Sequence, residues 1–163
     1  MLAAAVEIPR SLVDRLLESW PVARLATSGA RGRPGALPIV FSLVRGYVWT
    51  PVDGKPKRAG ELARVRRVTE NPYVELLLDE YDGDWSKLLW LRIEGEARVV
   101  EPPDPYRDPD VAPVLKALRA KYAQYTSVPV LRDPPTLLAI RPTRMRSWCS
   151  SDAAVSALES RLR

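Results

Sequence analysis

The sequence contains no histidine. That removes catalytic triads built on imidazole, paired-histidine zinc sites and an axial histidine for haem. It contains one cysteine, Cys149, so no disulfide can close within the chain, and a structural zinc site would need more ligands of this kind than exist. Cys149 is expected as a small, half-buried packing residue. No run of about 20 apolar residues occurs, so no membrane-spanning helix is expected. Met1 to Val6 lacks the basic start and long apolar stretch of a signal peptide, which makes the cytoplasm the expected compartment. No internal repeat, linker or Gly- or Pro-rich tract divides the chain. With 163 residues, 46% of them hydrophobic and 28% charged, the expectation is a single domain spanning residues 1–163.

What is present is a concentration of charge. Between Lys55 and Arg67 stand six cations (Lys55, Lys57, Arg58, Arg64, Arg66 and Arg67) and one anion, Glu61. The segment therefore nets +5, the same as the entire chain. All the excess positive charge sits at the entry to one predicted helix and along it. A helix N-terminus adds free N–H groups and partial positive charge to such cations, a combination suited to a phosphate or polycarboxylate. A solvated basic helix face accounts for the charge equally well. Nucleic-acid binding fits poorly, because no aromatic residue for base stacking lies between Trp49 and Tyr73, and the remainder of the chain is neutral.

In chain order, apolar residues at Ile8, Leu12, Val13, Leu16, Leu17 and Trp20 predict a helix over 7–20. Strands are expected over Val22–Thr27, Ala36–Leu43 and Tyr47–Thr50, joined by tight turns as a meander. Pro38 marks a bulge, or an edge, in the second. The basic helix is expected over about Lys57–Val68, ended by Asn71-Pro72. A strand over Tyr73–Asp79 is followed by the acidic, aromatic loop Glu80–Ser86. Strict alternation over Leu89–Val99 predicts the clearest strand, with Gly95 at a sharp bend. A helix through Val114–Tyr122, a strand over Leu137–Trp148 and a helix over Ala154–Leu162 complete the reading. The fold class is mainly β (α+β): a six-stranded antiparallel barrel with peripheral helices.

Three stretches together resemble the opening of the pyridoxamine-phosphate-oxidase-like flavin-binding split barrel: Val22-Ala-Arg-Leu-Ala-Thr27, Gly32-Arg-Pro34 and Pro38-Ile-Val-Phe41. Val52-Asp-Gly-Lys-Pro-Lys-Arg58, Asn71-Pro72, Asp82-Gly-Asp-Trp-Ser86, Lys121-Tyr-Ala-Gln-Tyr125 and Trp148 are similar to the branch of probable deazaflavin (coenzyme F-420)-dependent enzymes. The resemblance covers about residues 10–150. It implies a split-barrel homodimer with cofactor grooves shared by both chains. It also implies that Lys55 and Lys57, with Arg58 as a helper, contact the cofactor phosphate. Thr50, Pro51 and Val52 would lie along the ring and ribityl chain, and Pro38 and Ile39 beside the ring. Trp85 and Trp148 would come from the partner chain or shape the substrate pocket. The arginine–histidine pair with which pyridoxamine-phosphate oxidases hold their substrate is missing, which argues against that reaction.

The function so implied is a deazaflavin-dependent reduction of a small unsaturated or quinone-like molecule, with no metal and no nucleic-acid or membrane partner. The deazaflavin carries the hydride, so no histidine is needed, and its polyglutamate tail suits the local positive charge. The alternatives are an FMN-binding oxidoreductase of the same fold, or a non-catalytic cofactor-binding protein. No acid–base residue is identified; Tyr125 or solvent is left as a proton source.

Overall fold

The computed structural model describes residues 6–53 and 62–162. Its strands are β1 (Ala23–Ser28), β2 (Pro34–Ile39), β3 (Ser42–Val44), β4 (Tyr47–Pro51), β5 (Tyr73–Glu80), β6 (Leu89–Val100) and β7 (Leu137–Cys149). Its helices are α1 (Arg10–Ser19), α2 (Ala63–Glu70), α3 (Val111–Lys121) and α4 (Asp152–Arg161). All seven strands form one antiparallel sheet in the order β2-β1-β5-β6-β7-β4-β3. The two edge strands, β2 and β3, are separated in sequence by only Val40 and Phe41. The sheet therefore has to curl until its edges approach each other, which is a split barrel.

This corrects two expectations. There are seven described strands rather than six, and the first three expected strands do not form a meander. The stretch expected as one strand over Ala36–Leu43 leaves one edge of the sheet and joins the other, so β4 pairs with β3 and β7 rather than with β2. The reason lies at Phe41. Its side chain is fully buried. Its N–H is bonded to the Tyr122 hydroxyl at 3.0 Å, and that hydroxyl donates back to the Phe41 carbonyl at 2.9 Å. One phenol thus replaces a ladder partner where the strand changes sides. Pro38 and Pro34 sit on the edge strand β2, opposite Arg24 and Ser28, where a missing N–H is tolerated.

The barrel interior is filled by alternate residues. Along β6, Leu89, Leu91, Ile93 and Ala97 are buried, with Gly95 among them, while Trp90, Arg92, Glu94 and Glu96 face outward. The expected irregularity at Gly95 is a register shift between Glu94 and Gly95. A Cβ there would meet Ile140 Cγ2 at 2.8 Å and the Arg141 carbonyl at 2.9 Å, so only glycine allows β7 to approach this closely. Leu12, Val13, Leu16 and Leu17 of α1 join the same core. Cys149 is completely buried rather than half-buried; burial pushes its thiol above the ordinary range. A second apolar cluster joins α3 to Trp49, Tyr122, Tyr125, Val130, Leu137 and Ala139.

Lys121 ties these parts together. Its Nζ donates to the Leu17 carbonyl near the end of α1 at 3.1 Å and lies 3.7 Å from the centre of the Phe41 ring. Burial lowers its pKa from 10.5 to about 8, against the upward pull of Glu18. Below pH 8 the ammonium is charged in both folded and unfolded chains. Between about 8 and 10.5 the unfolded chain holds the proton that the folded chain has released. Stability relative to Lys121→Met is therefore expected to rise as pH goes from about 8 to 10.5. Urea unfolding of both proteins across that range would show a pH-independent difference if the amine titrated normally.

Candidate basic cleft at helix α2

Helix α2 positions the site. Val65 and Val68 are its buried residues, Val68 as part of the barrel core, and its outer side carries the arginines. The helix was expected to begin near Lys57; the described part begins at Ala63, and residues 54–61 lie outside the described residues. Lys55, Lys57 and Arg58, the expected phosphate contacts, fall in that segment.

The two ends of α2 reach two different parts of the barrel. At its start, Arg64 Nη2 donates to the Pro51 carbonyl at 3.3 Å. Arg64 Nε is buried without a hydrogen-bond partner among the described residues. Burial lowers the pKa of this guanidinium, with Asp53 raising it and Arg132 lowering it. Asp53 is itself buried and accepts a hydrogen bond from the Tyr125 hydroxyl at 3.3 Å. Burial and the Asp53 carboxylate push the Tyr125 phenol upward, so this group is a structural donor and poorly suited to release a proton to a substrate.

At its other end α2 lies on the β1–β2 turn. Arg66 and Arg67 of the helix and Arg31 and Arg33 of the turn line a cleft of about 520 Å³ with Gly29, Ala30 and Glu70. Among the described residues, Glu70 is the one anion there. Its Oε2 accepts the Ala30 N–H at 3.0 Å and its Oε1 lies 3.8 Å from Arg66 Nε. Two glycines permit the approach: a Cβ at Gly29 would fall 2.4 Å from Glu70 Oε2, and one at Gly35 would collide with the Arg67 guanidinium at 2.2 Å. Four guanidinium groups, which can only donate hydrogen bonds, around one carboxylate leave the cleft net positive. Such a set favours carboxylate or phosphate ligands.

The other expected residues occupy distinct places. Thr50, Pro51 and Val52 are buried at the end of β4. Thr50 and Pro51 pair with Leu138 and Leu137. The Val52 N–H donates to the Thr136 carbonyl at 2.9 Å and its carbonyl accepts from Arg132 N–H at 3.0 Å, so its backbone polar groups are used within the chain. Pro38 is exposed on β2 and Ile39 is buried in the core. Trp85 is 62% exposed in a 3-10 turn over Trp85–Lys87. Trp148 is half-buried opposite Trp90. Both tryptophans lie near the end of β5 remote from α2, roughly 20 Å along the strand at a rise of about 3.3 Å per residue. Arg31 and Arg33 were missed by sequence reasoning, which treated them as turn residues. Glycines at 29 and 35 flanking two arginines were the available signal.

Residues 11–149 match the family described as pyridoxamine 5'-phosphate oxidase. No curated protein matches the chain. Among solved structures, a conserved hypothetical protein of Mycobacterium tuberculosis is similar at 19% identity, with a TM-score of 0.66 and coverage of 92% of this chain and 90% of that one. A FAD-binding protein of Mesorhizobium loti is similar at 13% identity, with a TM-score of 0.64 and coverage of 89% and 96%. The haem storage protein of Vibrio cholerae is similar at 14% identity, with a TM-score of 0.63 and coverage of 83% and 92%. At these identities the likeness is one of fold.

Proposed function

Because the chain belongs to the pyridoxamine 5'-phosphate oxidase family, we propose that it is a deazaflavin (coenzyme F-420)-dependent oxidoreductase acting on a small unsaturated or quinone-like molecule. The carrying observation is the convergence of Arg31, Arg33, Arg66 and Arg67 on one cleft against a single carboxylate. A polyglutamate tail needs several donor-only cations at the end of a groove, and this set fits it. When bound, the deazaflavin supplies hydride transfer; the chain's residues bind and orient it. Lys55, Lys57 and Arg58 hold the phosphate. Arg64 is fixed on the Pro51 carbonyl, and Arg66 and Arg67, with the turn arginines, receive the tail. Thr50, Pro51, Val52, Pro38 and Ile39 border the ring. Trp85 and Trp148 reach the groove from a second copy of the chain in a homodimer; their distance from the cleft in one chain accords with that role.

FMN has one phosphate and no tail, and leaves the four arginines without a ligand. Haem binding, a property of some proteins of similar fold, gains no support from a chain without histidine.

Fluorescence titration with deazaflavin and, separately, with FMN tests the proposal. The expected result is tight deazaflavin binding that weakens as salt screens the partly exposed charges, and weak FMN binding. Lys55→Ala with Lys57→Ala is expected to cost about 2–4 kcal/mol of affinity. Tighter binding of FMN, or deazaflavin affinity that ignores both salt and the lysine pair, would reject it.

A further inference from the structure

The arginine cleft carries a carboxylate of its own, and that carboxylate sits against the preference of its helix. Glu70 is the last residue of α2, where the partial negative charge of the helix end disfavours an anion. Two contacts offset this. Its Oε2 accepts the Ala30 N–H of the β1–β2 turn at 3.0 Å, a bond strengthened by the charge on the acceptor. Its Oε1 lies 3.8 Å from Arg66 Nε. The turn is closed on itself by the Gly32 N–H, which donates to the Gly29 carbonyl at 2.9 Å. Arg31 stands inside that turn and Arg33 one residue beyond it. Both are exposed, and among the described residues neither has an ion-pair partner. Asn71 Nδ2 also ties α2 to the hairpin, donating to Ser28 Oγ at 3.1 Å, but at the end of β1, below the turn. The hydrogen bond that fixes the tip, with its two arginines, against Arg66 and Arg67 is the one made by Glu70.

We propose that Glu70 is a positioning residue for a polycarboxylate ligand in this cleft: as an acceptor it holds Arg31 and Arg33 opposite Arg66 and Arg67, and as a charge it lowers the affinity of the set it assembles. The two actions oppose each other. The contact orders donors that a ligand would otherwise have to order itself. The charge repels an incoming carboxylate and draws on Arg66. A single small anion meets that repulsion at close quarters, whereas a chain of carboxylates spreads over Arg31, Arg33 and Arg67 as well. This role rests on the reading of the cleft as the seat of a polyglutamate tail and adds the residue that shapes it.

Three variants of the full-length protein separate the two actions, with free γ-linked tetraglutamate as the probe and calorimetric titration at low salt as the measurement. Glu70→Gln keeps an oxygen for the Ala30 N–H and removes the charge. It is expected to bind the probe about threefold more tightly than the native protein. Glu70→Ala carries the same charge as Glu70→Gln but has no acceptor, and is expected to bind about fivefold more weakly than Glu70→Gln. Gly29→Ala keeps the carboxylate, but its Cβ would crowd Glu70 Oε2 and push the side chain off the Ala30 N–H; it is expected to bind below the native protein. Without ligand, hydrogen exchange at the Ala30 amide should quicken in Glu70→Ala and Gly29→Ala and not in Glu70→Gln. A glutamate that only supported the fold would lower affinity in both Glu70 variants. Equal affinities for Glu70→Gln and Glu70→Ala, no gain in Glu70→Gln, or no saturable binding of tetraglutamate would overturn the role. If tetraglutamate follows the expected order while deazaflavin does not bind, the role of Glu70 stands and the cofactor reading fails. If deazaflavin binds and tetraglutamate does not, the role of Glu70 fails and cofactor binding stands.

Discussion

Replacing Tyr122 with phenylalanine is expected to lower the free energy of unfolding by about 2–5 kcal/mol. The ring would remain in place, edge-on to Tyr125 with centroids 6.0 Å apart. Only the hydroxyl is lost, yet it serves two buried backbone groups at once, the Phe41 N–H at 3.0 Å and the Phe41 carbonyl at 2.9 Å. Leaving a buried donor or acceptor unpaired costs about 1–3 kcal/mol each. The phenol is kept neutral, its pKa pushed up by burial to about 12, so the loss should be constant through neutral pH. Tyr125→Phe is the control, because it removes one longer bond, at 3.3 Å to Asp53, and should cost less. Urea unfolding measures both, and faster hydrogen exchange at the Phe41 amide would locate the effect. A change below about 0.5 kcal/mol in Tyr122→Phe would mean that water replaces the hydroxyl, contrary to the burial of Phe41.

Arg66→Ala combined with Arg67→Ala is expected to weaken deazaflavin binding selectively. Arg66 is exposed and Arg67 half-buried, so each contact is discounted to about 1 kcal/mol, giving roughly thirtyfold for the pair. FMN affinity should change by less than about threefold, since one phosphate needs only the nearer cations. A deazaflavin stripped of its glutamates should behave as FMN does. Equal losses for all three ligands would show that the arginines support the fold of the site rather than the tail. The slope of affinity against salt should also fall in the variant, because fewer screened contacts remain.

Much of this arrangement was legible in the chain. Alternation from Leu89 to Val99 identified β6 and its buried face, because a period of two has no helical counterpart. The apolar spacing of Leu12, Val13, Leu16 and Leu17 identified α1. Pro38 left open a bulge or a strand without a neighbour on one side, and β2 at the edge of the sheet is the second. What could not be read was the change of edge at Val40–Phe41. It depends on Tyr122, 81 positions later, and on β7 offering Ala139 and Ile140 to β4. No local pattern encodes partners that distant. The site was divided in the same way. The positive charge of α2 was plain from composition, but its pairing with Arg31 and Arg33 required a helix to settle on a turn, and the turn admits it only because residues 29 and 35 have no side chain to obstruct Glu70 and Arg67.

The two prolines of β2 have a consequence for assembly. An open sheet offers its outermost backbone as a template on which a further strand can crystallise, the route to fibrils and to uncontrolled sheet extension. Here one rim has lost two of its six backbone donors, at Pro34 and Pro38, and the other is only three residues long. Both rims are therefore poor templates for a ladder. Copies of this chain are thereby steered away from growing strand upon strand and toward association through side chains, where charge and shape can limit the number that join.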